Sequence, residues 1–172
     1  MNRVLISACL LGEPVRYNGR DVPTRHEILA RWHAEGRLVS ICPEVAGGLP
    51  VPRPPAEILN GDGLAVLESK AKVMTKSGDD VTAVFLKGAY EALTLAQEYG
   101  CRVAILTEKS PSCGSSLIHD GTFSPGLRQG RGVTAALLEK NGVRVFNQHQ
   151  FEQAAKCLLE LEPSEIDEQR RR

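Results

Sequence analysis

The chain has 172 residues, enough for one ordinary domain around a single core and too few for two of full size. Its 42% apolar, 24% charged and 5% aromatic residues describe a folded chain and exclude disordered, fibrous and membrane-embedded classes. The 21 Lys and Arg balance 21 Asp and Glu, so no global field draws the protein onto nucleic acid or an anionic bilayer.

No stretch approaches the roughly 20 apolar residues of a spanning helix. Met1 to Cys9 contains only a short apolar run and reads as a first strand rather than a signal peptide, so the expected location is the cytoplasm. Thiols stay reduced there, and 5 cysteines do not make complete pairs. They are therefore core residues, metal ligands or nucleophiles.

Val4 to Ser7 and Leu38 to Ile41 are short apolar runs that end in loops and predict buried strands. Between them, Thr24 and Glu27 form a capping box, Ile28, Leu29 and Trp32 an apolar stripe, and Gly36 a stop, which predicts a helix. Residues 43–63, with Gly47, Gly48 and prolines 50, 52, 54 and 55, predict a long functional loop, neither helix nor central strand. Val66 to Thr82, around Lys76-Ser77-Gly78-Asp79, predicts a small hairpin or irregular excursion.

Leu86, Ala89, Leu93 and Ala96 recur at helical spacing from Thr82 onward, with Gly100 as the stop. Arg102 to Thr107 predicts a third buried strand, Val133 to Lys140 a helix, Val143 to Phe146 a strand and Phe151 to Leu161 a last helix. Residues 162–172 predict a charged, frayed tail behind a single catalytic domain at 1–161. Alternating strands and helices predict an α/β domain with an open, mostly parallel, Rossmann-like sheet covered on both faces.

In such a sheet, ligands bind outside the carboxyl ends of the strands. Cys9, Cys42 and Cys113 each follow a predicted strand, so all three are expected on that edge. Cys101 precedes its strand and belongs to the opposite edge, while Cys157 is a packing residue of the last helix. Three soft ligands suit zinc or an iron–sulfur cluster, and a missing fourth marks an open, reactive position. Ser110 to Ser116 adds hydroxyl donors and a glycine where the backbone must come close to a bulky group. Glu44, two residues after Cys42, can move a proton in the same crevice. Of the histidines, His119 alone falls near a site loop.

Four blocks stand out: Ser7-x-Cys9-Leu10-x-Gly12-x-x-Val15-Arg16-Tyr17-x-Gly19, Cys42-Pro43-Glu44, Gly48-Leu49-x-x-Pro52-Arg53 and Lys109-Ser110-Pro111-Ser112-Cys113-Gly114. As an ordered set they resemble the thiouracil desulfurase family over most of the chain. The resemblance implies a 4Fe-4S cluster held by Cys9, Cys42 and Cys113, with Glu44 and Ser110 catalytic. It also implies a thiolated pyrimidine, base or nucleotide, converted to its oxo form with release of sulfide and without redox chemistry. Arg16, Tyr17, Arg53 and Ser112 are candidates for binding that substrate, and Tyr17 and Phe123 for stacking on it.

The expected partners are this small molecule and the cluster assembly machinery, with neither membrane nor nucleic acid. Two rival readings accompany the resemblance. One is a sulfurtransferase acting on a nucleotide or RNA, which would need a sulfur donor. The other is a non-enzymatic three-cysteine metal-binding module, which predicts a colourless zinc protein.

Overall fold

The computed structural model describes residues 1–20 and 24–162. In chain order its first half holds β1 (Val4–Ser7), α1 (Glu27–Ala34), β2 (Leu38–Ile41), α2 (Pro43–Ala46), β3 (Ala56–Leu59), α3 (Gly63–Leu67) and β4 (Lys72–Thr75). The second half holds α4 (Thr82–Glu98), β5 (Val103–Ile105), β6 (Leu117–His119), β7 (Leu127–Gln129), α5 (Val133–Lys140), β8 (Arg144–Phe146) and α6 (Phe151–Leu161).

The four apolar strands form the predicted parallel sheet, in the order β2-β1-β5-β8. Ser7 lies beside Ile41, Ile6 beside Ile105 and Ile105 beside Phe146, so the carboxyl ends finish nearly level. From β1 the chain leads to β2 on one side, and from β5 to β8 on the other. The ends of β1 and β5 therefore flank a topological switch point, where α/β folds open a crevice.

Alternation along the strands sorts side chains into two cores. Leu5, Val39 and Ala104 face α4 and α5 and pack with Phe85, Ala89 and Leu138. Val4, Ile6, Val103 and Ile105 face α1 and α6 and pack with Trp32, Phe151 and Leu158. Each large side chain so buried contributes about 1.5–3 kcal/mol. Cys157 belongs to the second core and Cys101 to the first. Burial pushes the Cys101 thiol up to about 11, so it stays protonated and inert.

Several local expectations are corrected. Helix α1 is capped by His26, whose Nδ1 accepts from the Ile28 N–H at 3.1 Å, and not by the Thr24–Glu27 box. Histidine supplies the same acceptor as the usual capping oxygens, a use the capping pattern does not anticipate. Gly36, at φ +69, does end that helix.

The predicted loop 43–63 contains the single helical turn α2, with Pro43 at its first position, where no N–H is needed, and the strand β3. β4 does turn at Lys76–Asp79, with Thr75 N–H donating to Asp79 O at 2.9 Å. Its main partner, however, is β3, because Ile58 and Val73 both reach the first core. The β6–β7 hairpin carries no sequence signal: its strands are three residues each, and β7 is wholly exposed. Glu162, placed in the predicted tail, bonds Arg37 at 3.0 Å, and 163–172 lie outside the described residues. Among the described residues no helix is long and apolar enough to cross a membrane.

Candidate active site

The first cysteine is presented by a tight reversal. β1 runs directly into a 3-10 turn over Ala8–Leu11, closed by Gly12 at φ +89, a left-handed geometry that glycine adopts without strain. Cys9 Sγ lies 2.9 Å from Thr107 Oγ1, and Thr107 N–H donates to Ser7 Oγ at 3.0 Å. These bonds tie the ends of β1 and β5 together across the switch point.

Cys42 is the N-cap of α2, so the amides of Val45 and Glu44 face its sulfur. Cys113 follows a turn in which the N–H groups of Ser112 and Cys113 both donate to Ser110 Oγ at 3.1 Å. Gly114 is required by its own neighbours: a Cβ there would meet the carbonyl of Leu117 at 2.5 Å. That close approach is to the chain itself.

All three cysteines line one cavity of about 590 Å³, within the usual size of small-molecule sites. Burial pushes the Cys9 thiol up, opposed by Thr107 and reinforced by Cys42. Burial likewise raises Cys42, against the amides of α2 and with the help of Glu44. Cys113, most affected, is raised by burial and then by Cys42, Glu44 and Cys9 together.

Three thiols that hinder one another's ionisation form a donor set that needs a cationic centre before all can become thiolates. Among the described residues no three His, Cys, Asp or Glu side chains close tightly enough on one point for a single metal ion.

Glu44 enters the same cavity from α2, with its side chain 16% exposed. Arg53, 3% exposed, donates from Nε to Glu44 Oε1 at 3.2 Å, from one terminal nitrogen to Pro50 O at 3.1 Å and from the other to Val15 O at 3.0 Å. Burial raises the Glu44 carboxyl, opposed by Arg53, then Ser110, then Arg16. Ser110 Oγ already accepts two amide protons, so its own O–H is left to donate, and Glu44 is beside it. The result is a carboxyl of raised basicity, held on one oxygen with a hydroxyl beside it.

The remaining expected residues divide. Arg16 and Tyr17 line the cavity, with the guanidinium over the ring at 6.0 Å. Arg53 lines it as well, but three of its five donors are committed to Glu44 and the backbone, which makes it a brace. Ser112 is not brought to the cavity: it is buried, and its hydroxyl meets Thr134 Oγ1 of α5 at 2.8 Å.

Sequence reasoning missed Thr107, Glu108 and Glu57, which also line the cavity. Thr107 ends the apolar run before the Ser110 block, which was the available signal. Glu108 and Glu57 act on backbone amides distant in sequence, and no spacing rule finds such partners.

A parallel α/β sheet whose switch-point crevice gathers three thiols, a braced carboxyl and a donating hydroxyl defines an enzyme built to handle a soft atom in a small molecule. A solved structure, the 4Fe-4S-dependent thiouracil desulfidase TudS, superposes with a TM-score of 0.86 at 45% identity, over 94% of this chain and 100% of that one. The uncharacterized protein YbbK of Bacillus subtilis (strain 168) is 44% identical over 148 residues, 86% of this chain and 97% of that protein. The 2-thiouracil desulfurase family matches residues 4–150. The chain belongs to that family, the one its four sequence blocks resemble.

Proposed function

We propose that this cavity desulfurates a thiolated uracil, with Cys9, Cys42 and Cys113 holding a 4Fe-4S cluster, Glu44 moving the protons and the Ser110 hydroxyl donating beside it. The observation that carries this reading is the convergence of the three thiols and the Glu44–Ser110 pair on one cavity. The 4Fe-4S dependence of the superposable thiouracil desulfidase supports the cofactor.

Bound there, the cluster supplies a Lewis-acidic iron that suits a soft thiocarbonyl sulfur. Glu44 is the base. Its Oε1 is held by Arg53, which leaves Oε2 to take a proton from a water attacking the thiocarbonyl carbon. The Glu44 carboxyl then gives that proton to the departing sulfur, held in place by the Ser110 hydroxyl that is left to donate beside it. The carbon–sulfur bond breaks, a carbon–oxygen bond forms, and both protons of the water leave with sulfide. No oxidant or reductant enters the balance.

Anaerobic reconstitution should load about four iron and four sulfide per chain, with broad brown absorption, and the loaded protein should convert 2-thiouracil to uracil and sulfide. A chain that stays colourless, or that takes up iron yet leaves both 2- and 4-thiouracil intact, overturns this reading.

A further inference from the structure

The loop between β6 and β7 contains the most strained aromatic residue of the cavity. Phe123 lines the cavity with φ +55, a left-handed backbone that a residue with a side chain adopts only under strain. Such strain persists only where surrounding structure enforces it, and it concentrates at ligand clamps.

The enforcing group is Glu57 of β3, a buried carboxylate 6% exposed. Its Oε1 accepts from Gly121 N–H at 3.0 Å and Phe123 N–H at 3.2 Å. The loop also lies directly on β3: a Cβ at Gly121, itself at φ +89, would meet the Ile58 carbonyl at 2.7 Å. Its base is closed by Asp120 N–H donating to Gly126 O at 3.2 Å. A buried carboxylate spent on a surface loop is unusual, because it offsets desolvation only through those amides.

Few other aromatic side chains reach the site. Trp32, Phe85 and Phe151 fill the cores, and of the exposed tyrosines only Tyr17 lines the cavity. Tyr17 is 41% exposed and carries Arg16 over its ring, whereas the half-buried Phe123 offers an apolar face to a planar ligand.

We propose that Phe123 is a substrate-binding residue that stacks on the pyrimidine ring, and that Glu57 is the positioning residue that holds it there by bonding the Gly121 and Phe123 amides. The proposal deepens the desulfurase reading and rests on it for the identity of the ring. A phenyl group grips the ring face whatever atom occupies the thio position, so product and substrate feel it alike.

The test therefore uses cluster-loaded protein with two readouts: steady-state turnover of 2-thiouracil and equilibrium dialysis of uracil, which has no sulfur. Phe123→Ala should raise KM and the uracil Kd about tenfold while changing kcat far less, and Phe123→Tyr should restore both. Glu57→Ala should raise the same two constants. Glu57→Gln, whose amide oxygen still accepts, should not. In the Phe123→Ala background, Glu57→Ala should add nothing further to KM or Kd.

Full turnover with KM and uracil Kd unmoved in Phe123→Ala would overturn the stacking role and leave the desulfurase reading standing. Phe123-dependent uracil binding in a protein that turns over no thiouracil would keep the stacking role and overturn the reaction. A Glu57→Ala protein that melts earlier but binds uracil normally would reduce Glu57 to a structural residue and overturn its positioning role.

Discussion

Of the carboxylates that line this cavity, Glu44 on α2 after β2 and Glu108 after β5 are driven in opposite directions by their surroundings. Glu44 has one oxygen on Arg53 and a hydroxyl beside it, and burial leaves its carboxyl raised. Glu108 is also penalised by burial, but the amides of Leu117 and Ser116, the Asn147 side chain and the Ser116 hydroxyl outweigh that and bring it down to about 2. Ser115 adds its amide at 2.9 Å and its hydroxyl at 3.1 Å. A carboxylate whose lone pairs are filled by fixed donors is locked as an anion and serves as a staple. One left with a single brace and an open oxygen keeps its basicity.

The largest effects test that division of labour. Glu44→Gln should lower kcat by about 10²–10⁴-fold while iron content and the visible spectrum stay at wild-type levels. Loss of iron in that variant would make Glu44 a structural residue and erase the contrast. Glu108→Gln should do the reverse. It should retain the chemistry at low temperature while losing about 2–3 kcal/mol of stability, because the amides of residues 115–117 lose their charged acceptor. The midpoint of urea unfolding measures it.

Acidification separates the two groups by sign. Glu108 is depressed from its ordinary 4.5 to about 2, so its contribution to stability is complete above about 4.5 and drains away as pH falls toward 2. Glu44 is raised above 4.5, so its anion forms only at higher pH, where stability declines slightly as pH rises. If it is the base, kcat/KM climbs through that same window. The acid limb of the rate profile should therefore lie above 4.5 in wild-type protein and remain there in Glu108→Gln. Unfolding below 4.5 should lose its steep pH dependence in that variant.

The contrast also explains what could be read before the structure. The parallel sheet, its helices and the edge carrying Cys9, Cys42 and Cys113 were legible, because periodicity and strand-to-loop order are local signals. Glu44 was legible from its place two residues past Cys42. Glu108 was not, since its role depends on Asn147, 39 residues later, and on a hairpin whose short strands leave no pattern. The place of Ser112 was not legible for a related reason: a turn gives Ser110 and Ser112 different directions, and sequence spacing does not say which lines the cavity. The loop at 43–63 concealed α2 and β3 because proline and glycine content suppresses both readings, although a proline opens the helix.

A smaller effect concerns the brace. Arg53→Lys keeps the charge but cannot reach Glu44, Pro50 and Val15 together, since an ammonium lacks the planar fork. The expected result is a kcat/KM about tenfold lower and an acid limb displaced to higher pH, because the Arg53 contact opposes the raised carboxyl. An unmoved acid limb would separate Arg53 from the basicity of Glu44 and leave it only a role in holding the loop.

The smallest effect extends the comparison from carboxylates to thiols. Cys101 and Cys113 are nearly equally buried, at 4% and 6% exposure, and both thiols are raised. They differ in company: Cys113 feels Cys42, Glu44 and Cys9, whereas among the described residues the one charged group acting on Cys101 is Arg3. Burial alone makes a packing residue, and burial among other thiols is what the proposed ligand set adds. Cys101→Ala should therefore leave iron content and turnover unchanged and cost about 1 kcal/mol of stability, the small loss of one packed sulfur. Cys113→Ala should remove bound iron. Iron lost equally from both would show that metal retention follows from the integrity of the core rather than from the thiols at the switch point.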